Sequence, residues 1–161
     1  MSIKEVKNVE TNKLIQDTSH EGELVYEGVV ANKKCTIHYE FTDGILTAAG
    51  YILTEIWTAH DLYLTDYYTI TDLLDKKYND KSRKQYTWTN PNSVYKDPSK
   101  YGTAIFMGDL IVQKTYNTAN TTTKASISGG NLKISTMIFY QSKKYKKRAD
   151  KKKEAKALAD F

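Results

Sequence analysis

The chain has 161 residues, 40% of them hydrophobic and 12% aromatic, with a formal net charge of +5 from 24 basic and 19 acidic side chains. That is one domain's worth of sequence, able to bury about 70% of its unfolded surface, and the apolar content excludes a wholly disordered chain. One cysteine, Cys35, excludes a disulfide framework and any multi-cysteine metal site, and no run approaches the ~18 apolar residues of a membrane helix.

Ser2 precedes Ile3, Val6 and Val9, with Glu5 three residues on. This is a capping box, in which hydroxyl and carboxylate satisfy orphan amides reciprocally, and it predicts a short helix over 3–10. Residues 11–23 are polar and read as a loop. Leu24 to Val30 is rich in β-formers, and Cys35, Ile37, Tyr39 and Phe41 alternate with polar neighbours, so two strands follow. Asp43-Gly44 supplies a tight hairpin turn. Ile45 to Trp57 reads as a long central strand, with Gly50 marking a bulge or a close packing contact.

Over 62–78 the period changes. Tyr67, Ile70, Leu73, Leu74 and Tyr78 share a helical face, Asp66 is placed to cap the N-terminus, and Asn79 is placed to stop the helix in the left-handed conformation. Lys84 to Thr89 reads as a strand, and 90–101, with Pro91 and Pro98, as a long loop. Thr103 to Met107, Leu110 to Tyr116, Thr122 to Ser128 and Leu132 to Tyr140 read as strands, with turns at Gly108-Asp109 and Gly129-Gly130-Asn131. The expected fold class is α+β: an antiparallel sheet of about six to seven strands with two helices packed on one face. The domain spans 1–142, and 143–161 form a Lys-rich helical or disordered tail. No period of 20–50 residues repeats itself, which excludes solenoids and propellers. No secretory leader pattern opens the sequence; as written it is expected in the cytoplasm, and exported if a signal peptide precedes it.

The opening Met1-Ser2-x-x-Glu5-Val6 resembles the first helix of BamE-like and β-lactamase-inhibitor-protein-like bacterial domains, without their usual preceding Gly. Further stretches are similar to a family of bacterial α+β domains with no established function. They are Tyr39-Glu40-Phe41-Thr42-Asp43-Gly44-Ile45-Leu46, Asp66-Tyr67 through Lys77-Tyr78, Trp88-Thr89-Asn90, Tyr95-Lys96-Asp97, Gly102-Thr103-Ala104-Ile105 and Gly129-x-Asn131. The resemblance implies an α+β domain, sometimes exported, and implies no catalytic residues.

Motifs for phosphate and dinucleotide binding are absent. His20, His38 and His60 stand about 20 residues apart without metal-ligand spacing, so no metal or other cofactor is expected. Cys35 shares its strand face with Ile37, Tyr39 and Phe41 and reads as a buried, inert thiol. His60-Asp61 with Asp66 resembles acid–base machinery but reads as helix capping and a solvated loop. Asn120-Thr121-Thr122 reads as a polar hairpin tip.

Charge is unevenly spread. Residues 1–75 carry five basic and thirteen acidic side chains, 76–101 seven and two, 102–142 three and one, and 143–161 nine and three. The tail therefore holds more than the whole net charge, as +6 against −1 for residues 1–142. Two functions follow from these patterns. The first is a non-enzymatic interaction domain, of inhibitor or assembly-factor type, binding another protein through Tyr63, Tyr86, Trp88, Tyr95 and Tyr101, since aromatic side chains anchor such interfaces. The alternative is nucleic-acid binding through the basic aromatic block 76–101 and the tail, with Arg83, Lys84, Lys96, Lys100, Lys144, Lys147 and Arg148 on phosphates. An enzyme whose site is assembled across elements ranks third.

Overall fold

The computed structural model describes residues 1–159, except for the side chains of residues 152, 153, 156 and 159. Helix α1 (Ile3–Val9) starts as expected: Ser2 Oγ accepts from the Glu5 N–H at 3.3 Å, and Glu5 Oε2 accepts from the Ser2 N–H at 2.6 Å. Four strands follow: β1 (Leu14–Thr18), β2 (Glu23–Val30), β3 (Lys33–Thr42) and β4 (Ile45–Leu53). Strand β1 replaces the expected loop. It is an exposed edge strand with no apolar alternation, so only its pairing to β2 reveals it. Strand β4 is central but ends at Leu53, leaving 54–59 as a connector. A register shift opposite Glu40 and Phe41 bulges its start, while Gly50 marks close packing: a Cβ there would stand 2.8 Å from the Ile138 carbonyl oxygen.

The second half repeats this plan. Helix α2 (His60–Tyr78) ends on Asn79 at φ 54° and ψ 47°, the left-handed stop. After it come β5 (Ser82–Trp88), a 3₁₀ turn (Pro98–Lys100), α3 (Tyr101–Phe106), β6 (Leu110–Asn117), β7 (Thr121–Gly130) and β8 (Lys133–Ser142). Residues 103–107 are therefore mainly helix, not strand. Ala104 and Ile105 are fully buried, and their packing overrides the β-branched propensity of Thr103 and Ile105. The last hairpin turns on Asn131-Leu132, both at positive φ, with Gly129 and Gly130 inside β7.

All eight strands form one antiparallel sheet in the order β1-β2-β3-β4-β8-β7-β6-β5. Two four-stranded meanders thus meet edge to edge at β4 and β8, each led by a helix. The fold class is α+β as expected, with eight strands where about six to seven were expected and four α-helices where two were. Alternation gives the sheet two unlike faces. One carries Leu24, Tyr26, Cys35 and Ile37 under Val6 of α1, and Val112, Tyr116, Ala125, Ile127 and Ile138 under Tyr67, Ile70 and Leu74 of α2 and Ala104 and Ile105 of α3. The other face carries two buried apolar residues, Val25 and Ala48, among mostly polar ones.

Asp66 is not the cap of α2. The helix begins six residues earlier after Ala59, and Asp66 lies buried in its second turn. Its carboxylate pairs with Lys33 Nζ at 2.8 Å and accepts from the Trp57 indole N–H at 2.8 Å, tying the β2–β3 hairpin of the first half to α2. The tail folds as helix α4 (Lys146–Ala159), held by Arg148 Nε to Asp43 Oδ2 at 2.6 Å and by burial of Ala149. Among its basic residues, the side chains of Lys152, Lys153 and Lys156 lie outside the described residues, as does Phe161. Among the described residues no helix is long and apolar enough to cross a membrane.

Candidate protein-binding surfaces

Four of the five aromatic residues expected to contact a partner come together along the β5 edge. Tyr86 and Trp88 point to the helix side of β5, where both meet Tyr101 at the start of α3, with ring centroids 5.7 and 5.8 Å away. Tyr95, half-buried in the preceding loop, packs against the same core. Tyr68 of α2 completes the group, its hydroxyl pushed up to about 12 by burial and by the neighbouring Tyr86. Lys84 Nζ lies 5.2 and 4.8 Å from the Tyr68 and Tyr86 ring centroids, and Lys96 Nζ lies 5.9 Å from that of Trp88. These contacts dock the edge strand on α2 and α3, and the lysines blunt an otherwise open sheet edge.

Tyr63 is elsewhere, in a groove of about 410 Å³ where the β4–α2 connector passes the β7–β8 turn. Trp57, Tyr63, His60 and Phe106 form aromatic parts of its lining, and Leu53 and Ile134 add aliphatic surface. Each wall is fixed. The Trp57 N–H donates to the Tyr63 hydroxyl at 2.9 Å, the Trp57 indole is held by Asp66, and the His60 ring stacks on Phe106 at 3.9 Å. Lys33 sits 5.4 Å from the Trp57 ring, and its ammonium is held in the charged form chiefly by the Asp66 hydrogen bond. At the rim, Ile56 is 89% exposed and Leu132 is 72% exposed. Two large aliphatic side chains set in water beside a preformed aromatic groove are the clearest departure of this surface from an ordinary one.

Trp57, Phe106, Ile56 and Leu132 were not among the residues expected at a site. Ile56 and Trp57 read as the end of a long strand, which hides them as core. The signal available was their position after Thr54-Glu55, where alternation has already failed. Leu132 reads as a strand residue too, yet it occupies a turn at φ 60°.

The basic residues divide into separate places. Lys84 and Lys96 lie on the aromatic edge group, and Lys100 precedes α3 nearby without a side-chain capping bond. Arg83 points to the opposite face of β5, by strand alternation. Lys144 lies over Tyr145, and Lys147 and Arg148 belong to α4 beside the β3–β4 hairpin. That hairpin is at the opposite sheet end from Trp88, because Trp88 pairs with Leu110 while β8 leaves the sheet at the row of Ser82, Tyr116, Thr123 and Tyr140. The Trp88 end of block 76–101 therefore lies away from the tail, whereas Lys77, 5.6 Å from the Tyr140 ring centroid, lies at the tail's end of the sheet. Of the histidines, His38 bridges Thr36 and Glu23 at 2.9 and 3.0 Å, His60 stacks on Phe106, and exposed His20 lies 3.6 Å from Glu21. Cys35 is buried, and desolvation pushes its thiol up, away from the reactive thiolate.

The geometry defines an α+β domain with an eight-stranded sheet, three helices on one face and a preformed apolar groove at the junction of its halves. Comparison of the chain with protein-family models, with curated proteins and with solved structures gave no match.

Proposed function

We propose that the protein is a non-catalytic binding domain that captures another protein by seating an apolar anchor side chain in the groove between Trp57, Tyr63 and Phe106. The exposed pair Ile56 and Leu132 at the rim of that groove carries the reading. Covering them removes apolar surface from water at about 25 cal/mol per Å². The walls are already held by hydrogen bonds and stacking, so binding loses little side-chain entropy. A bound partner would be inhibited or positioned by occlusion, with no bond made or broken. The resemblance of the opening helix to inhibitor-like and assembly-lipoprotein domains agrees with this role.

A photoreactive side chain placed at Ile56 tests the proposal in extract of the native host, with the same group at exposed Glu21 as control. A discrete protein adduct at position 56, lost when Leu132→Asp is added, is expected. Equal or no labelling at the two positions contradicts it.

Nucleic-acid binding is the second reading, supported by the lysines interleaved with Tyr68, Tyr86 and Trp88. It ranks lower because those ammonium groups already cover the rings on which bases would stack. It requires gel retardation that weakens steeply with salt and weakens further when residues 143–161 are removed. Absence of retardation at low salt excludes it.

A further inference from the structure

We infer that the domain docks on a lipid surface with the end of the sheet that bears the groove, four aliphatic loop tips entering the acyl boundary. Each tip comes from a different connection. Ile56 follows β4, Val94 follows β5, Met107 precedes β6 and Leu132 turns β7 into β8. All four lie past the same end of the sheet, the end marked by the pairings Cys35–Leu53, Gly129–Ile134 and Trp88–Leu110. Val94 is 77% exposed and Met107 53%, beside the still more exposed Ile56 and the equally open Leu132. The strands they join are contiguous, in the order β4-β8-β7-β6-β5, so the tips gather within about 19 Å at about 4.8 Å per strand. At the opposite end the connections 19–22, 43–44, 79–81, 118–120 and 143–145 present no large exposed apolar side chain; among the described residues there, Met1 beside the start of β4 is the exception. Connections are ordinarily polar, so apolar tips collected at one end alone mark a docking surface.

Side-chain chemistry commits the occupant to lipid. The tips are Ile, Val, Met and Leu, without the Trp, Tyr and Arg that anchor protein contacts; the aromatic residues lie behind them, in the groove and under β5. Nor does this end carry a field for a charged partner. Lys96, Lys100 and Lys133 are balanced by Asp61, Asp97 and Asp109, and Lys33 is already held by Asp66 and Glu55. Asp97 and Asp109 in turn accept from Ser99 and from the Asn90 amide. A near-neutral aliphatic surface suits the boundary between headgroups and acyl chains, where apolar side chains sit about 5–10 Å deep and lysine stems reach back to the headgroups. Both tryptophans of the chain, a residue type that favours this interface, stand at the same end, Trp57 next to Ile56 and Trp88 closing β5. The tips are also preformed. Leu132 occupies a two-residue turn. The loop bearing Val94 is held by the Thr89 N–H to the Asp109 carbonyl at 2.9 Å, by the Ser93 N–H to the Asn90 carbonyl at 3.2 Å, and by the Lys96 ammonium to the Pro91 carbonyl. Docking therefore orders little chain.

The inference goes beyond the groove reading. Ile56 and Leu132 serve both, so a bilayer and a protein anchor compete for this end, whereas Val94 and Met107 lie outside the groove and vesicles hold no protein. The test is flotation of the full chain with phosphatidylcholine vesicles in about 0.5 M salt, which screens the cationic tail. The wild-type chain is expected to float with the vesicles, and its tryptophan emission to be quenched by lipid brominated on the acyl chains. Val94→Asp and Met107→Asp, with folding checked by circular dichroism, are each expected to lower partitioning by about tenfold or more, and Val94→Leu to retain it. A wild-type chain that stays in the aqueous fraction, or Asp variants that float as well as the wild type, overturns the inference. Binding seen only with phosphatidylserine vesicles at low salt belongs to the tail and overturns it too. Failed flotation alongside a persistent protein adduct at position 56 overturns this inference alone and leaves the groove reading standing.

Discussion

Removing the carboxylate of Asp75 should be among the most damaging single changes to this fold. Asp75, on the last turns of α2, pairs with Lys114 Nζ and accepts from the Tyr116 hydroxyl at 2.8 Å. Tyr116 is fully buried, and the Lys114 side chain is only 12% exposed. Asp75→Ala leaves the Lys114 ammonium on the core side of β6 without its acceptor and the Tyr116 phenol with only the Thr71 carbonyl, at 3.2 Å. Breaking a buried pair costs about 3–5 kcal/mol. The residual exposure of both side chains reduces this to about 2–4 kcal/mol, since water partly replaces the lost partner. At about 2–4 °C per kcal/mol for a chain of this length, the melting temperature should fall by roughly 5–15 °C. The double variant Asp75→Ala with Lys114→Met removes both charges and should recover part of that loss, because the stranded ammonium, not the missing bond, is the main cost. Burial pushes the Asp75 carboxyl up, but Lys114 and Tyr116 more than offset it, leaving it below its usual range. Its contribution is therefore present above the ordinary carboxylate range and is lost as pH falls through the lowered native value. Calorimetry at neutral and acid pH measures both effects. A loss under about 1 kcal/mol for Asp75→Ala, or a double variant less stable than the single, would refute the reasoning.

Three further outcomes follow. Desolvation raises Tyr67 and Tyr116 above the tyrosine range and Tyr140 to about 12, so their native protons are retained where the unfolded chain ionises. Stability should then decline progressively above the ordinary tyrosine value of 10.0, with tyrosinate absorbance of these groups rising together with loss of helix signal; independent, earlier ionisation contradicts it. Gly129→Ala would place its Cβ 1.8 Å from the Ile105 carbonyl oxygen, whereas a Cβ on Gly130 meets nothing within 4 Å, so chemical denaturation should show a loss of about 2 kcal/mol or more for the first and little for the second. Equal effects would mean that α3 does not pack on β7 as described. Deleting residues 143–161 should leave a folded domain of net charge −1, losing no more than about 1 kcal/mol because its ion pair to Asp43 is exposed; an unfolded product shows that burial of Ala149 makes the tail part of the fold.

Much of the architecture is written in local signals. The Ser2–Glu5 box, the alternation through Cys35 to Phe41, the Asp43-Gly44 turn and the Asn79 stop each act within a few residues, and each forms as its chemistry requires. What was illegible depends on distant partners. Strand β1 exists because β2 offers an edge, and α3 is helical because Ala104 and Ile105 fill space under α2 and β7. Asp66 has the residue type of a cap, yet Lys33, brought from the first half, and the Trp57 indole draw it into the interior. The same holds for the candidate surfaces. Tyr86, Trp88, Tyr95 and Tyr101 were recognisable as a group, but their packing on α2 and α3 was not. The groove around Tyr63 draws on three separate stretches of chain, so no local spacing encodes it.

The binding role is tested most directly by the affinity of the partner recovered through position 56 for the wild-type chain, for Ile56→Asp and for Gln85→Ala. Ile56 and Gln85 are both exposed, so neither change disturbs the core. The account predicts that Ile56→Asp weakens binding by about 30-fold, equivalent to roughly 2 kcal/mol, while Gln85→Ala leaves it unchanged. Equal affinity for Ile56→Asp and the wild type would contradict it.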